Sequence, residues 1–277
     1  MPKKKPTWFC PTSNVGFHKI FCTEGNEGLV LQLLNSIIDD RRIVSFERLD
    51  PYHQINTRTH SEFDLYCKCD DGSRVIIECQ NYTKVGRFLN RSLVYSSLAI
   101  LDQAKENWRY EYERVYFIGL LTYNQWRDRT QAITKVGLFT EEDHVRVNDN
   151  FLQIFVELPK LGLERGEDGA GKKFLRALRD IGKSDERPEE YRDPALDQLF
   201  QASMYKHFNK EEQMKYDKEM DWPEDYIDNA RNMALDAAEK AVAENSREMA
   251  RKMKAEGIPA EIIAKCTGLT VEEVEAL

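Results

Sequence analysis

The most informative segment of the chain reads Glu62-Phe-Asp-Leu-Tyr-Cys-Lys-Cys-Asp-Asp-Gly-Ser-Arg-Val-Ile-Ile-Glu-Cys-Gln80. Both of its halves alternate side chains with the two-residue period of a β-strand that has one buried face. Between the halves, Asp70-Asp71-Gly72 is a turn signal, because Gly72 can adopt the positive φ that closes a three-residue loop. The pattern therefore predicts a β-hairpin over residues 62–80.

The predicted turn also fixes which residues face each other across the hairpin. With Cys69 opposite Ser73, Asp64 lies opposite Glu78 and Glu62 lies opposite Gln80. Directly opposed residues have Cβ atoms about 4.5–5.5 Å apart, and like charges at that distance are destabilising. Mg²⁺ is the natural partner for such a pair, because it binds one or two carboxylates and completes its coordination with water and substrate phosphate. The sequence therefore predicts a metal site at Asp64 and Glu78, with Gln80 pointing the same way.

The spacing of these residues resembles a known nuclease signature. Asp64, thirteen intervening residues and then Glu78-Cys79-Gln80 are similar to the PD-(D/E)XK motif, with Gln80 in the position of the usual Lys. Further segments, in the same order along the chain, resemble the Rpn family of recombination-promoting nucleases, also described as transposases. These segments are Phe17-His-Lys-Ile-Phe21, Leu33-Leu-Asn35, Phe88-Leu-Asn-Arg-Ser-Leu-Val-Tyr95 and Phe155-Val-Glu-Leu-Pro-Lys160. The resemblance covers residues 14–182.

This resemblance implies a metal-dependent DNA endonuclease that is linked to recombination or mobile elements. Asp64, Glu78 and the backbone carbonyl of Cys79 would hold Mg²⁺, with Mn²⁺ and Ca²⁺ as alternatives. Gln80 would orient the attacking water, although a Gln side chain supplies no positive charge. DNA is the implied partner.

The helix before the hairpin supplies a further candidate. Apolar spacing over residues 15–38 predicts a short helix, followed by a second helix from about Glu27. In PD-(D/E)XK folds such a leading helix often adds an acid to the site. Glu27 is the candidate and Glu24 the second choice, and the alternative is an acid that only favours the helix N-terminus.

The helix after the hairpin carries candidate phosphate-binding residues. Arg87, Arg91 and Tyr95 recur at i, i+4 and i+8 along one face of a helix predicted over residues 85–107. The two guanidinium groups would contact a scissile or flanking phosphate, because Arg suits bidentate phosphate binding. The alternative is a solvated face that pairs with neighbouring acids.

The order of predicted elements is typical of an α/β fold, namely the PD-(D/E)XK restriction-endonuclease-like core. Its α-β-β-β-α-β order gives a mixed sheet flanked by helices. We expect a flexible N-terminal arm over residues 1–13, the nuclease-like domain over residues 14–187 and a helical C-terminal region over residues 188–277. Residues 43–49 and 114–123 supply the first and the last core strand.

The C-terminal region ends in a segment that resembles half of a helix-turn-helix. Thr270 and Glu273 have the spacing of a capping box. The second helix of this segment is acidic through Glu272, Glu273 and Glu275, which disfavours contact with DNA phosphates. We therefore expect these helices to dock on the core or to form a homo-oligomer rather than to read DNA.

Composition sets limits on the class of protein. The mean hydropathy is −0.63, and no apolar run approaches the roughly 20 residues of a membrane helix, so we expect a cytoplasmic protein with no membrane segment. The six cysteines lack Cys-x-x-Cys spacing and are expected to be reduced core residues. The net charge is −8, and it arises entirely from residues 161–277, because residues 1–160 contain 21 basic and 21 acidic residues. DNA binding would therefore depend on a local basic patch and the metal.

Two other functions stay open. The first is a catalytically weak or inactive nuclease fold that acts as a DNA-binding or protein-binding regulatory module, which the Gln at position 80 and the lack of a basic excess favour. The second is a transposase, whose strand-transfer chemistry these residues do not distinguish from hydrolysis.

Overall fold

The computed structural model describes residues 5–54, 60–81, 87–106, 111–162, 169–220 and 244–277. The chain divides into two compact units, Met1–Met220 and Asp221–Leu277. The helices of the first unit are α1 (Asn14–Phe17), which continues into a π-helical turn (His18–Cys22), α2 (Glu27–Ile37), α3 (Arg87–Glu106), α4 (Ala170–Asp180), α5 (Pro194–Ala202) and α6 (Lys210–Met220). Its strands are β1 (Phe46–Arg48), β2 (Tyr52–Gln54), β3 (His60–Glu62), β4 (Leu65–Cys69), β5 (Arg74–Gln80), β6 (Val115–Leu121), β7 (Ile133–Phe139) and β8 (Arg146–Glu157).

Six strands form one mixed sheet in the order β1-β4-β5-β6-β8-β7, and β2 pairs with β3 in a separate ribbon. The central strands β5, β6 and β8 are parallel, whereas β1, β4 and β7 are antiparallel to their neighbours. Helices cover both faces, which confirms the predicted α/β fold with a mixed sheet flanked by helices. Strand β7 is an addition to the predicted set.

The hairpin β4–β5 has the predicted register. Leu65 pairs with Ile77 across the two strands. The N–H of Cys69 donates to the carbonyl of Ser73 over 2.9 Å, and Gly72 closes the turn with a φ of 86°. A positive φ at this position is the reason that the turn uses glycine. Local turn chemistry therefore fixes which residues meet at the far end of the hairpin.

The hairpin is shorter than the sequence pattern predicts. Glu62, expected to lie opposite Gln80, pairs instead with Tyr52 in the β2–β3 ribbon. The chain changes partner because the N–H of Phe63 donates to the carbonyl of Pro51 over 3.1 Å. The antiparallel pairing of β4 with β5 thus begins at Leu65, the residue after Asp64. Strand β5 extends beyond this first residue of β4 as far as Gln80.

Both faces of the hairpin are buried, although the alternation predicts only one. Cys67 and Ile77 lie in the large cluster formed with α2 and α4, whereas Tyr66 and Ile76 lie in a second cluster formed with α3. The two layers of helices explain this burial, because a sheet covered on both sides excludes water from both sets of side chains.

Residues 8–13 form part of the core rather than a flexible arm. Within the range 1–13, the ring of Phe9 is fully buried and stacks on Phe208 with a centroid distance of 4.0 Å. The N–H of Cys10 donates to the hydroxyl of Tyr216 over 2.7 Å. Burial of these aromatic side chains fixes the segment, because each contributes a large apolar surface.

The predicted boundary at residue 187 lies inside the first unit. Helix α5 and the segment that follows it place Leu199 and Tyr205 in the large core cluster, and α6 adds Tyr216. The compact unit extends to Met220 because these apolar side chains pack on the rest of the core.

The second unit contains helical residues 244–255 (α7), α8 (Ala260–Thr267) and α9 (Val271–Glu275). They enclose a small core of Ala250, Ile263 and Val274. The capping box of Thr270 and Glu273 forms as predicted, with both reciprocal hydrogen bonds present. None of the helices in the described ranges combines the length and apolar character that a bilayer crossing requires.

Candidate active site

The candidate site lies where the end of β5 meets the beginning of α3. In the parallel register, Glu78 pairs with Gly119 of β6. A Cβ atom at Gly119 would lie 2.9 Å from the ring of Phe88, so glycine permits the first turn of α3 to pack directly on the sheet. This close packing brings Arg91, one turn later in α3, to the end of β5.

Asp64 and Glu78 are joined through the backbone, as the register predicts. The N–H of Asp64 donates to Glu78 Oε1 over 3.0 Å, and the N–H of Cys79 donates to Asp64 Oδ2 over 2.8 Å. Each carboxylate therefore has one oxygen held by an amide. Within the described residues, Asp64 Oδ1 accepts no hydrogen bond, and Glu78 Oε2 lies 3.4 Å from Arg91 Nη2. One oxygen of each carboxylate remains available for a ligand.

Burial makes both acids weaker than usual. Desolvation, followed by the charge of Asp64, raises the pKa of Glu78 to about 8, against an opposing effect of Arg91. Desolvation also raises the pKa of Asp64, although the N–H of Cys79 and the charges of His18 and Arg91 counteract it. Two neighbouring buried acids favour a bound cation, because a cation stabilises the ionised form of both.

The donor set fits a divalent metal ion. A strand residue directs its N–H and C=O toward the same edge, and the N–H of Cys79 points to Asp64. The continued register would place Phe63 opposite Cys79, but the N–H of Phe63 is committed to Pro51. The Cys79 carbonyl is therefore directed to the side of the two carboxylates. Two carboxylates and a carbonyl are hard oxygen ligands of the kind that Mg²⁺ and Mn²⁺ prefer.

Glu27 lies outside this pair, contrary to the prediction of a third acid. Its carboxylate accepts from Arg48 Nη1 over 2.9 Å and from the N–H of Gly25 over 3.1 Å. The hydrogen bond from Arg48 lowers the pKa of Glu27. Within the described ranges, no third Asp, Glu, His or Cys forms a metal-binding group with Asp64 and Glu78. The second choice, Glu24, is exposed.

Comparison with known protein families adds to this geometry. The sequence profile of the PD-(D/E)XK nuclease family transposases matches residues 11–234, which is most of the chain. The chain belongs to this family. Enzymes with the PD-(D/E)XK site generally use divalent metal ions, in agreement with the donor set. Searches of curated proteins and of solved structures gave no match.

The PD-(D/E)XK signature carries Lys at the position of Gln80, and a guanidinium occupies this region in the structure. Arg91 donates to Gln80 Oε1 and lies 3.4 Å from Glu78 Oε2. Its guanidinium lies over the rings of Phe88 and Tyr95, at 5.1 and 5.6 Å from their centroids. The positive charge absent from position 80 is thus present on α3.

Two other residues predicted to bind phosphate have different outcomes. Tyr95 is 7% exposed, and its ring packs against Phe63 with a centroid distance of 4.8 Å. The ring therefore packs under the guanidinium of Arg91 and does not face solvent. Its ring is buried because the neighbouring face of α3 covers the sheet. Arg87 begins α3, and its side chain lies outside the described residues.

A buried ion pair supports the same edge of this PD-(D/E)XK nuclease fold. In parallel register Gln80 pairs with Leu121, which pairs with Glu157. Glu157 Oε2 accepts from Lys160 Nζ over 2.8 Å, and both side chains are at most 3% exposed. Glu157 Oε1 also accepts from the N–H of Trp126 over 3.1 Å. The family-like segment Phe155–Lys160 thus fixes the loop after β6.

Sequence reasoning missed the contribution of the π-helical turn. Cys22 Sγ donates to the backbone carbonyl of Asp64 over 3.1 Å, and the positive charge of His18 lowers the pKa of the same residue. The spacing i, i+4 between His18 and Cys22 indicates a shared face, but no local signal shows what that face contacts. π-helical turns are often found at functional sites.

Proposed function

We propose that this protein is a metal-dependent deoxyribonuclease that hydrolyses phosphodiester bonds and acts in DNA recombination or on mobile elements. The observation that carries the proposal is the buried pair of Asp64 and Glu78, in which the backbone holds one oxygen of each carboxylate. A guanidinium lies directly beside this pair. The family supports the nuclease class, and the resemblance to recombination-promoting nucleases supports the biological role.

Each residue of the site has a distinct role in this proposal. Asp64, Glu78 and the Cys79 carbonyl would hold Mg²⁺, with Mn²⁺ or Ca²⁺ as alternatives. A bound divalent cation supplies Lewis acidity, which polarises the phosphodiester and makes a water more acidic. Arg91 provides a positive charge that stabilises the negative charge on the phosphate oxygens in the transition state. Charge stabilisation of this kind is a large part of phosphoryl-transfer catalysis.

Gln80 orients Arg91 in this scheme, because its Oε1 accepts a hydrogen bond from the guanidinium. This assignment differs from the predicted role of orienting water. The neutral amide of Gln80 fixes the position of the Arg91 guanidinium through this hydrogen bond and adds no charge of its own. Gln80 is therefore a positioning residue.

Plasmid cleavage tests the proposed function. Wild-type protein is incubated with supercoiled plasmid in Mg²⁺, Mn²⁺ or Ca²⁺, each with a matched EDTA control. We expect nicked or linear products in Mg²⁺ and Mn²⁺ and none in EDTA. The Asp64→Asn variant, purified in parallel, controls for host nucleases. Folded wild type that leaves DNA intact in every metal would favour the regulatory alternative, and cleavage that persists in EDTA would exclude the metal mechanism.

The affinity for Mg²⁺ is expected to increase with pH. Metal binding requires ionised carboxylates, and burial raises the pKa of Glu78 to about 8. Below that pH, binding must release a proton, so the association constant should fall by about tenfold for each pH unit and level off above about pH 8. Isothermal titration calorimetry in buffers of different ionisation enthalpy measures the association constant for Mg²⁺ and the number of protons released on binding. A constant affinity between pH 6 and 8, with no proton release, would contradict the expectation.

A further inference from the structure

A groove lies between the π-helical turn and helix α6, on the first unit. Its volume is about 410 Å³, and it is lined by residues that include Asn14, His18, Lys19, Cys22, Glu212 and Lys215. The two walls come from opposite ends of the unit's sequence. They are held together by the ion pair of Lys19 with Glu212, at 2.9 Å. Helix α6, which lies outside the predicted nuclease domain, supplies the second wall through Glu212 and Lys215.

The groove adjoins the carboxylate pair. Cys22, which lines it, donates its thiol hydrogen to the carbonyl of Asp64 over 3.1 Å. His18 precedes Cys22 by four residues in the same helical turn, and side chains with this spacing project from one face. His18 is exposed and lines the groove beside Asp64. A strand that passes the candidate metal site can therefore continue into this groove.

The groove presents two lysines and a histidine, and the acids beside it are already paired. Among the described lining residues, Glu212 pairs with Lys19, and the neighbouring Glu219 accepts from the N–H groups of Asn14 and Val15. His18 makes no hydrogen bond or ion pair with another residue in the described part of the chain. Lys215 pairs with Glu211 at 2.7 Å, but the two side chains are 65% and 71% exposed. Such surface pairs contribute little, so Lys215 can exchange its partner for a phosphate.

We propose that this groove binds the backbone of the DNA substrate, with His18 and Lys215 in contact with phosphates that flank the scissile one. The inference rests on the proposed nuclease function and assigns the track of the substrate strand on one side of the carboxylates. It also gives a chain with a net charge of −8 a local means of holding DNA, through the ammonium of Lys215 and the imidazole N–H of His18.

DNA binding at increasing salt tests the groove. Fluorescence anisotropy of a labelled duplex is measured in Ca²⁺ over a range of KCl concentrations, and gel analysis verifies that the duplex stays intact. The variants are Lys215→Ala, His18→Ala and His18→Lys. Lys183→Ala is the matched control, because Lys183 is also exposed and paired with an acid in its own segment, Asp180, at 2.8 Å. Circular dichroism verifies the fold of each variant.

We expect Lys215→Ala to lower the slope of log K against log salt by about one, the value for one lost phosphate contact. His18→Ala should weaken binding, and His18→Lys should restore it, since a hydrogen-bond donor to phosphate returns to the same position. Lys183→Ala should match wild type. Binding by Lys215→Ala and His18→Ala that equals the control, or no binding by wild type, would overturn the proposal.

Parallel cleavage assays separate this proposal from the nuclease proposal. Wild type that cleaves DNA while the groove variants bind like the control would refute the groove and retain the nuclease. Wild type that shows the expected salt response without cleavage in any metal would retain the groove and refute the nuclease.

Discussion

Replacing Glu78 with Gln is expected to abolish DNA cleavage and, at the same time, to stabilise the metal-free protein. The amide has nearly the shape of the carboxylate and keeps an oxygen to accept from the N–H of Asp64. It removes one of the two anionic metal ligands, however. Metal ions contribute several kcal/mol of transition-state stabilisation, so we expect the rate to fall by at least about a thousandfold.

The gain in stability follows from the raised pKa of Glu78. A carboxyl with a pKa of about 8 in the folded state and an ordinary value when unfolded stabilises the fold while it is protonated. That contribution is fully present below the unfolded pKa and is lost as the pH rises through about 8. Gln carries no such dependence, so the advantage of the variant grows with pH. A gain of about 1 kcal/mol would raise the melting temperature by about 2–4 °C in a unit of this size.

Thermal unfolding in EDTA at pH 5 and pH 9, together with the plasmid assay, measures both effects. The control is Glu27→Gln, which changes an acid that pairs with Arg48 away from the site. Glu27→Gln should cleave DNA at the wild-type rate. Retained cleavage by Glu78→Gln would refute the metal site, and an equal melting difference at both pH values would refute the raised pKa.

Gln80→Lys is expected to lower activity, although it restores the residue of the common PD-(D/E)XK signature. The structure already holds a cation in this region, because Arg91 donates to Gln80 Oε1. Lys would remove the acceptor and place an ammonium against the guanidinium. A hydrogen bond to a charged group is worth about 1.5–3 kcal/mol, so displacement of Arg91 should reduce kcat by about 10- to 100-fold.

A double variant makes the test of Gln80 specific. Gln80→Lys combined with Arg91→Gln exchanges the positions of charge and amide, and it should recover part of the activity that Gln80→Lys loses. Single-turnover cleavage rates for wild type, both single variants and the double variant give the coupling between the two positions. A Gln80→Lys protein faster than wild type would show that Gln80 is a defective Lys rather than the partner of Arg91.

The part of the site that depends on local chemistry could be predicted from sequence. The turn at Gly72 and the two-residue period of the strands fix the register, and the register alone brings Asp64 to Glu78. The hydrogen bonds from the N–H groups of Asp64 and Cys79 to the two carboxylates lie just beyond the last strand pair and are visible only in the structure. The fold could also be predicted, because the order of helices and strands is visible in the apolar pattern.

The parts that depend on distant partners could not be predicted. Glu27 has the position expected of a catalytic acid, but its partner is Arg48, 21 residues away on strand β1. Tyr95 shares a helix face with Arg91, yet the packing of Phe63 decides its burial. Helical spacing shows which residues share a face and is silent about what covers that face.

The predicted domain limits at residues 13 and 187 differ from those of the compact unit for the same reason. Cys10 and Tyr216 are 206 residues apart and share a hydrogen bond, so no window of sequence contains both. The acidic and polar character of the segment after residue 188 suggests a separate region, although its few aromatic residues complete the core. Self-association through the C-terminal helices stays a prediction.

The contact between the N-terminal segment and helix α6 also determines how the first unit could be circularly permuted. Lys5 Nζ donates to Gln213 Oε1 over 2.9 Å, and the N–H of Asn14 donates to Glu219 Oε1 over 2.7 Å. The first and the last described segments of the unit are therefore neighbours. A short linker could join them, and the exposed turn between Thr140 and Val145 could be opened to give new ends. Proteins with adjacent termini tolerate such circular permutation. In such a permuted protein the carboxylates, the guanidinium and the groove would keep their positions in the fold while their order along the chain changed.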